Sequence, residues 1–246
     1  MMCVRAISQT QTSNIEKTTC MDIEIIYEDN HIIAINKKCG DIVQSDKSGD
    51  DPLAEKVKRY IKDKYNKPGD VFLGVTHRID RPVSGVVIFA RTSKALERIN
   101  AMFREKTIKK TYWAIVANRP EYDGEKLVHH IRRNEKQNKS YICTKAASDT
   151  KEAILEYKLL SSISRYHLIE IALHTGRHHQ IRCQLAHIGS PIRGDLKYGY
   201  PRSNPDGGID LHALKIEMMH PVTKQAILIQ ASLPKTEVWK NFKHNL

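Results

Sequence analysis

The segment GVVIFART (Gly85–Thr92) limits what this chain can fold into. It is short and almost wholly apolar, so it reads as a strand buried on both faces. Directly ahead of it stands HRIDRPVSG (His77–Gly85), which puts Asp80 at the strand entrance between Arg78 and Arg81. Asp is depleted in strands and is rarely buried without a partner. Two readings follow. Asp80 is a structural residue that hydrogen-bonds its own turn, or it is a carboxylate that nearby arginines keep ionised for work as a nucleophile or base.

The rest of the chain alternates short apolar runs with turn residues. IEIIYEDNHIIAINK (Ile23–Lys37) reads as two strands around a turn at EDN. Asp51 is the expected cap of a helix with Pro52 in its first turn and Leu53, Val57, Tyr60 and Ile61 on one face. Ser93 is the expected cap of a second helix, which presents Leu96, Ile99, Met102 and Phe103. Tyr112–Val116 reads as a strand, and HHIRRNEKQNKS (His129–Ser140) as a hairpin or a mobile loop. AILEYKLL and YHLIEIAL read as paired strands with a turn near SSISR. TGRHHQIRCQLAHIG reads as a loop and then a helix ended by Gly189. A long turn-rich loop follows, and IDLHALKIEMMHP with QAILIQASLP reads as a final hairpin. Strands outnumber helices and mostly follow one another directly. That predicts an α+β fold with a mixed, largely antiparallel central sheet and flanking helices and loops. No linker interrupts residues 21–246, which are expected to form one domain, and polar residues 1–20 are expected to be a flexible tail, with Met21 a plausible true start.

Charge narrows the partners. The 246 residues carry 40 Lys and Arg against 28 Asp and Glu, a formal net charge of +12. Such a surface attracts polyanions, nucleic acid first, although charge alone also fits a soluble protein that is merely basic. No apolar run reaches the roughly 18 residues that a membrane span needs, and the start has no apolar signal stretch. The five cysteines (Cys3, Cys20, Cys39, Cys143, Cys183) are scattered and form no C-x-x-C pair. A structural zinc site is therefore not expected, and a reducing cytoplasm is. Neither G-x-x-x-x-G-K-[ST] nor G-x-G-x-x-G occurs, nor does a G-x-S-x-G elbow.

Three further stretches could carry chemistry. TGRHHQIR sets Arg177 and Arg182 at a loop-to-helix junction, which suits recognition of phosphate or carboxylate, or is simply a solvated basic face. His174, His178, His179 and His187 cluster near Cys183, but Gly176 argues against a helical pair and no Glu stands between them as in zinc hydrolases. KKTYWAIV interleaves lysines with Tyr112 and Trp113, which fits either a base-stacking strand or one buried aromatic face.

Taken together and in order, these segments resemble the RluA family of RNA pseudouridine synthases. The resemblance runs from about Ile25 to Leu233. It is carried by IIYEDNHIIAINKKCG, HRIDRPVSGVVIFART, KKTYWAIV, LHTGRHHQIRCQLAHIGSPIRGDLKYG and LHALKIEMMHP. The resemblance implies that Asp80 is the catalytic aspartate and that Tyr112 stacks on the target uracil. It implies that Arg182 pairs with that aspartate and that Arg78 helps to displace the target nucleotide. Cys183 and Leu211 fall where the family places apolar residues near the base. The chain departs from the pattern at Ile79, Val83, His178, Gln184 and Leu155, none of which is a position assigned to the chemistry. Only about twenty polar residues precede the first strand, too few for the S4-type RNA-binding domain that many relatives carry.

The implied reaction is isomerisation of uridine to pseudouridine in RNA, with no cofactor and no metal. The implied partner is a stem-loop of ribosomal or transfer RNA; the cysteines place the protein in the cytoplasm, and a monomer is the default expectation, since nothing in the residues indicates an oligomer. Two rivals remain at this level. One is a noncatalytic RNA-binding protein on the same scaffold. The other is a metal-dependent nuclease built on the histidine cluster.

Overall fold

The computed structural model describes residues 23–243, so the expected tail, with Cys3, Cys20 and Met21, lies outside the described residues. Among the described residues eleven strands form one sheet. They are β1 (Glu24–Glu28), β2 (Ile32–Lys37), β3 (Gly74–Val75), β4 (Ser84–Ala90), β5 (Lys109–Val116), β6 (Gly124–Asn134), β7 (Lys139–Cys143), β8 (Lys151–Ile163), β9 (Tyr166–Leu173), β10 (Leu211–Met219) and β11 (Ala226–Gln230). The main path across the sheet runs β1-β2-β4-β10-β5-β9-β8-β6-β7, with β3 added to β4 and β11 to β10. The helices are α1 (Leu53–Lys64), α2 (Ser93–Arg104), α3 (Gln180–His187) and α4 (Glu237–Lys243). The fold is the expected α+β type with a mixed, largely antiparallel sheet. None of the helices among the described residues is long and apolar enough to cross a membrane.

The segment GVVIFA behaves as its composition requires. Val87 and Phe89 of β4 pack with Leu53, Val57 and Ile61 of α1. Val86, Ile88 and Ala90 face the other way, onto Ala95 and Ile99 of α2. Successive side chains of a strand point to opposite faces, so a strand covered by a helix on each side must be apolar throughout. Gly85 opens this strand at φ +114, where a Cβ would stand 2.2 Å from the Ala213 carbonyl oxygen. The absence of a side chain lets β4 pair with β10 at Ser84 and Gly85, a parallel contact in an otherwise antiparallel sheet.

Two expected caps move by one residue. Pro52 occupies the N-cap of α1 with no side-chain cap bond, because Asp51 turns away to pair with Arg59. Thr92, not Ser93, caps α2, and its hydroxyl accepts from Ala95 N–H at 3.2 Å. The charged segment 129–140 is a hairpin, β6 paired with β7. Helix α4 had no signal strong enough to read in the sequence. It is held by Trp239 and Phe242, which are buried with Ile115 and Leu168, and Trp239 Nε1 donates to Asp210 Oδ1 at 2.9 Å.

Candidate active site

Asp80 lies in the turn between β3 and β4, at the level where β4, β10 and β5 come together at the middle of the sheet. The turn closes through Val83 N–H donating to Asp80 O at 3.0 Å. Its approach is fixed by side chains that complete the edge of β4. The Thr76 hydroxyl donates to Ile88 O at 2.6 Å, and His77 Nε2 accepts from Ile88 N–H at 3.0 Å. Burial, and then the charge of Lys110, hold His77 at a pKa of about 3, so it stays neutral and its Nε2 remains an acceptor. On the other side of the turn the Lys37 ammonium, almost fully buried, donates to Arg81 O at 3.0 Å and to Lys38 O at 2.8 Å. Burial depresses Lys37 to about 8.

The arginines beside Asp80 in sequence do not hold it. Arg81 turns to Asp50 at 2.6 Å, and Arg78 is exposed with no partner among the described residues. Arg182, from the first turn of α3, reaches Asp80 instead, with its NH1 3.1 Å from Oδ2. The same guanidinium donates through Nε and NH2 to Asp195 at 2.7 and 2.8 Å. Burial works against the charge of Arg182, but hydrogen bonds and charge from Asp195, and then from Asp80, raise its pKa above the ordinary value. Two parallel bonds to Asp195 fix the guanidinium plane and so aim its remaining nitrogen. Among the described residues no bond engages Oδ1 of Asp80, whose side chain keeps 27% of its surface open.

His179 forms the second contact. It occupies the N-cap of α3 in the left-handed region at φ 53, a conformation that costs a non-glycine residue roughly 1 kcal/mol or more. Its Nε2 stands 3.6 Å from Asp80 Oδ2. The Tyr198 hydroxyl accepts from Ser140 N–H at 2.8 Å and lies 3.0 Å from His179 Nδ1. A neutral imidazole carries one N–H, and the acceptor-only carboxylate of Asp80 faces Nε2, so the proton sits on Nε2 and the Tyr198 hydroxyl donates to Nδ1. Burial first, and then Arg182, depress His179 to about 2, so it presents a neutral N–H.

Tyr112 on β5 is buried beside Leu211, Ala213, Val83 and Ile181. Burial, and then the charge of Asp80, push its phenol above the ordinary value, so it stays protonated. The structure thus brings together Asp80, Arg182 and Tyr112, with Leu211 in the same apolar cluster. Cys183 is buried on α3 with its thiol donating to Ser140 O at 3.3 Å, and it lines a separate cavity of about 400 Å³ with Tyr198 and Lys139. No contact in the structure places it at Asp80. The departures at Val83 and Leu155 fall in the core cluster that also holds Tyr112. Gln184 is buried and bonds His129 at 3.0 Å.

The clustered histidines are spread among different tasks. His174 lies 3.3 Å from Glu156, His187 sits edge-on to His129, and His178 stacks on His179 at 3.8 Å. Among the described residues no three His, Cys, Asp or Glu side chains are grouped to hold a metal. Sequence reasoning assigned no roles to Asp195, Tyr198 or Lys37, and it considered His179 only as part of the histidine cluster. All four lie inside the matched segments, and the available signal for Asp195 was that a buried carboxylate needs a cation.

A family model described as RNA pseudouridylate synthase matches residues 31–187, well over half of the chain. The chain belongs to the RNA pseudouridylate synthase family. As a member it is an isomerase that acts on RNA. A tRNA pseudouridine synthase C of Vibrio vulnificus is 33% identical over 239 residues, covering 89% of this chain and 93% of that protein. A ribosomal large subunit pseudouridine synthase D of Zymomonas mobilis is 28% identical over 223 residues, covering 87% of this chain and 70% of that protein. Among solved structures, human RNA pseudouridylate synthase domain containing 4 superposes with a TM-score of 0.74 at 22% identity, covering 90% and 93% of the two chains. That likeness shows that the fold of this pseudouridylate synthase is shared.

Proposed function

We propose that Asp80 is the catalytic carboxylate of this synthase and that residues 21–246 act as one catalytic domain. The observation that carries this reading is the pair of contacts on Asp80 Oδ2, from Arg182 at 3.1 Å and His179 at 3.6 Å, while Oδ1 has no partner among the described residues. The isomerisation breaks the N1–C1′ bond of a uridine and forms C5–C1′ with the same atoms. It needs one ionised carboxylate in a water-poor pocket and a surface that retains the detached uracil while it turns. Tyr112, neutral and packed beside the site, supplies that surface by stacking. Leu211 extends the apolar wall, and Cys183 supports it through α3.

A paired base cannot reach Asp80, so the target nucleotide flips out at a cost of a few kcal/mol, which is least in a loop. Arg78, exposed and uncommitted, is suited to fill the vacated stack. The names of the relatives support a transfer RNA or a large-subunit ribosomal RNA stem-loop as substrate, and the enzyme is read as a cytoplasmic monomer.

The test is chemical mapping of pseudouridine in total RNA from cells with and without the gene, complemented by wild type or by Asp80→Asn. Sites that vanish and return only with wild type support the proposal. Restoration by Asp80→Asn removes Asp80 from the chemistry. Stacking predicts that Tyr112→Phe retains most turnover and that Tyr112→Ala loses it, and equal losses would assign the role to the hydroxyl.

A further inference from the structure

Among the described residues most cations of low exposure have an anionic or carbonyl partner; Lys139 has only the rings of Tyr141 and Tyr198, and Lys110 has less still. Lys37 has two backbone carbonyls, Arg91 has Glu28, Arg182 has Asp195 and Asp80, and Arg193 has Asp210. Lys110 is half-buried on β5, and among the described residues no carboxylate or carbonyl pairs with it. Its one contact is with the Phe103 ring of α2, whose centroid lies 5.9 Å from Nζ. Burial alone lowers its pKa, with no opposing anion. A partly desolvated cation without a counter-charge costs stability, so an anion that reaches it would bind there with a gain.

The position of Lys110 says which anion. Residues two apart on a strand share a face, so Lys110 stands on the face of Tyr112, nearer the start of β5. Close to it lie His77, which leads into the Asp80 turn, and Gly176, which leads into Arg177. A Cβ on Gly176 would be 3.6 Å from Lys110 Nζ, so the loop passes the ammonium without a side chain in the way. Lys110 therefore sits between the two segments that deliver Asp80 and Arg182, beside the site that an RNA strand must enter.

We propose that Lys110 binds a backbone phosphate of the substrate RNA next to the flipped uridine. This rests on the reading of the Asp80 site given above. The ammonium acts as a point charge that the phosphodiester neutralises on binding, while Phe103 and Gly176 shape the slot. Lys110 positions the strand and takes no part in bond making.

The experiment uses the full chain and unmodified transcripts of tRNA and large-subunit rRNA. It compares wild type with Lys110→Met and Lys110→Arg. Lys110→Met is expected to raise KM for the RNA about tenfold with kcat changed less than twofold. Its plot of log Kd against log salt is expected to be shallower by about 0.7, the value for one contact to a single-stranded phosphate. Lys110→Arg is expected to retain most of the wild-type slope. The melting temperature of Lys110→Met is expected to be unchanged or higher, because a desolvation cost is removed. A Met variant with the wild-type KM and salt slope overturns the proposal, and so does one whose loss of activity tracks a lowered melting temperature. Asp80-dependent turnover by wild type in the same assay keeps the two readings separate. Its absence overturns the functional reading, and this inference with it.

Discussion

Arg81 and Arg182 both lie within reach of the turn that carries Asp80, yet they are used differently. Arg81 is half exposed and pairs with an equally exposed Asp50 at 2.6 Å. Arg182 keeps 6% of its side-chain surface and divides its donors between Asp195, which is 1% exposed, and Asp80. On the turn wall of the site, charges are solvated and exchangeable. On the α3 wall they are buried and saturated, so their geometry is fixed. The two carboxylates of Arg182 repeat the contrast within one cluster. Asp195 gives both oxygens to the guanidinium, whereas Asp80 gives one. A group that must react keeps an open atom, and the group that aims it does not.

The largest effect that probes this contrast is chemical. Asp80→Asn retains size and a hydrogen-bonding oxygen but removes the charge, and turnover should fall by more than about 10³-fold. Its melting temperature should stay close to that of wild type, since Arg182 keeps Asp195. Single-turnover assays beside thermal melts check both parts, and a retained rate would mean that the open carboxylate is not the reacting group. Next in size is Asp195→Ala. Removing one partner of a buried pair costs roughly 3–5 kcal/mol because the remaining charge is left uncompensated. Urea unfolding reads this directly. If Asp80→Asn and Asp195→Ala destabilise the protein equally, the division between aiming and reacting carboxylates is wrong.

How much of this was legible beforehand depends on how far apart the cooperating residues lie in the chain. The strand at Gly85–Thr92 could be read because its apolar content alone demands two covering layers, and α1 and α2 supply them. Asp80 could be noticed because a carboxylate at such a strand entrance is unusual, but its neighbours in sequence suggested the wrong arginines. The Arg182–Asp80 pair spans 102 residues, and only the family resemblance, not the pattern of residues, connected them. Asp195 and the Ser140–Tyr198–His179 chain join β7, α3 and the turn at Leu196–Tyr198, elements far apart in the chain, and no local period records them. Helix α4 is seven residues long and is held by Trp239 and Phe242, too short for helical periodicity to stand out. The caps shifted by one residue for different reasons at the two helices. Asp51 found Arg59, and Thr92 had the extended backbone that a cap requires.

Acid distinguishes the two walls through their histidines. His77 supports the turn wall with a pKa of about 3, His179 belongs to the α3 wall with about 2, and His212, beneath both, has about 4. Burial is the main cause in each case, and all three lie below the ordinary value near 6.5. Between those values and 6.5 the unfolded chain binds more protons than the folded one. Stability is therefore full above about pH 6.5 and is lost as pH falls toward the folded values. Each histidine contributes about 1.4 kcal/mol per pH unit in that window. Replacing the turn-wall residue by His77→Gln should reduce the slope of unfolding free energy by an amount that approaches one proton as pH falls from about 6.5 to about 5. Turnover per folded molecule should respond more to this change than the melting temperature at pH 7. Urea titrations at several pH values check the slope, and an unaltered slope would show that His77 is charged in the native state.

The smallest effect lies at the exposed end of the comparison. Asp50→Asn removes the partner of Arg81, one residue from Asp80 in the chain. The pair is half exposed on both sides, so water and salt replace most of what is lost, and an exposed ion pair contributes between about 0 and 1 kcal/mol. The turn itself is held from below by bonds that do not involve the Arg81 side chain: Gly40 N–H and Lys37 Nζ both donate to Arg81 O, at 2.9 and 3.0 Å. Asp50→Asn should therefore shift the melting temperature by no more than a few degrees and leave single-turnover rates within twofold. Raising salt should erase even that difference. A tenfold loss of rate at an unchanged melting temperature would show that the exposed pair, and not only the buried one, aims Asp80, and the two walls would then have to be treated as a single charged network.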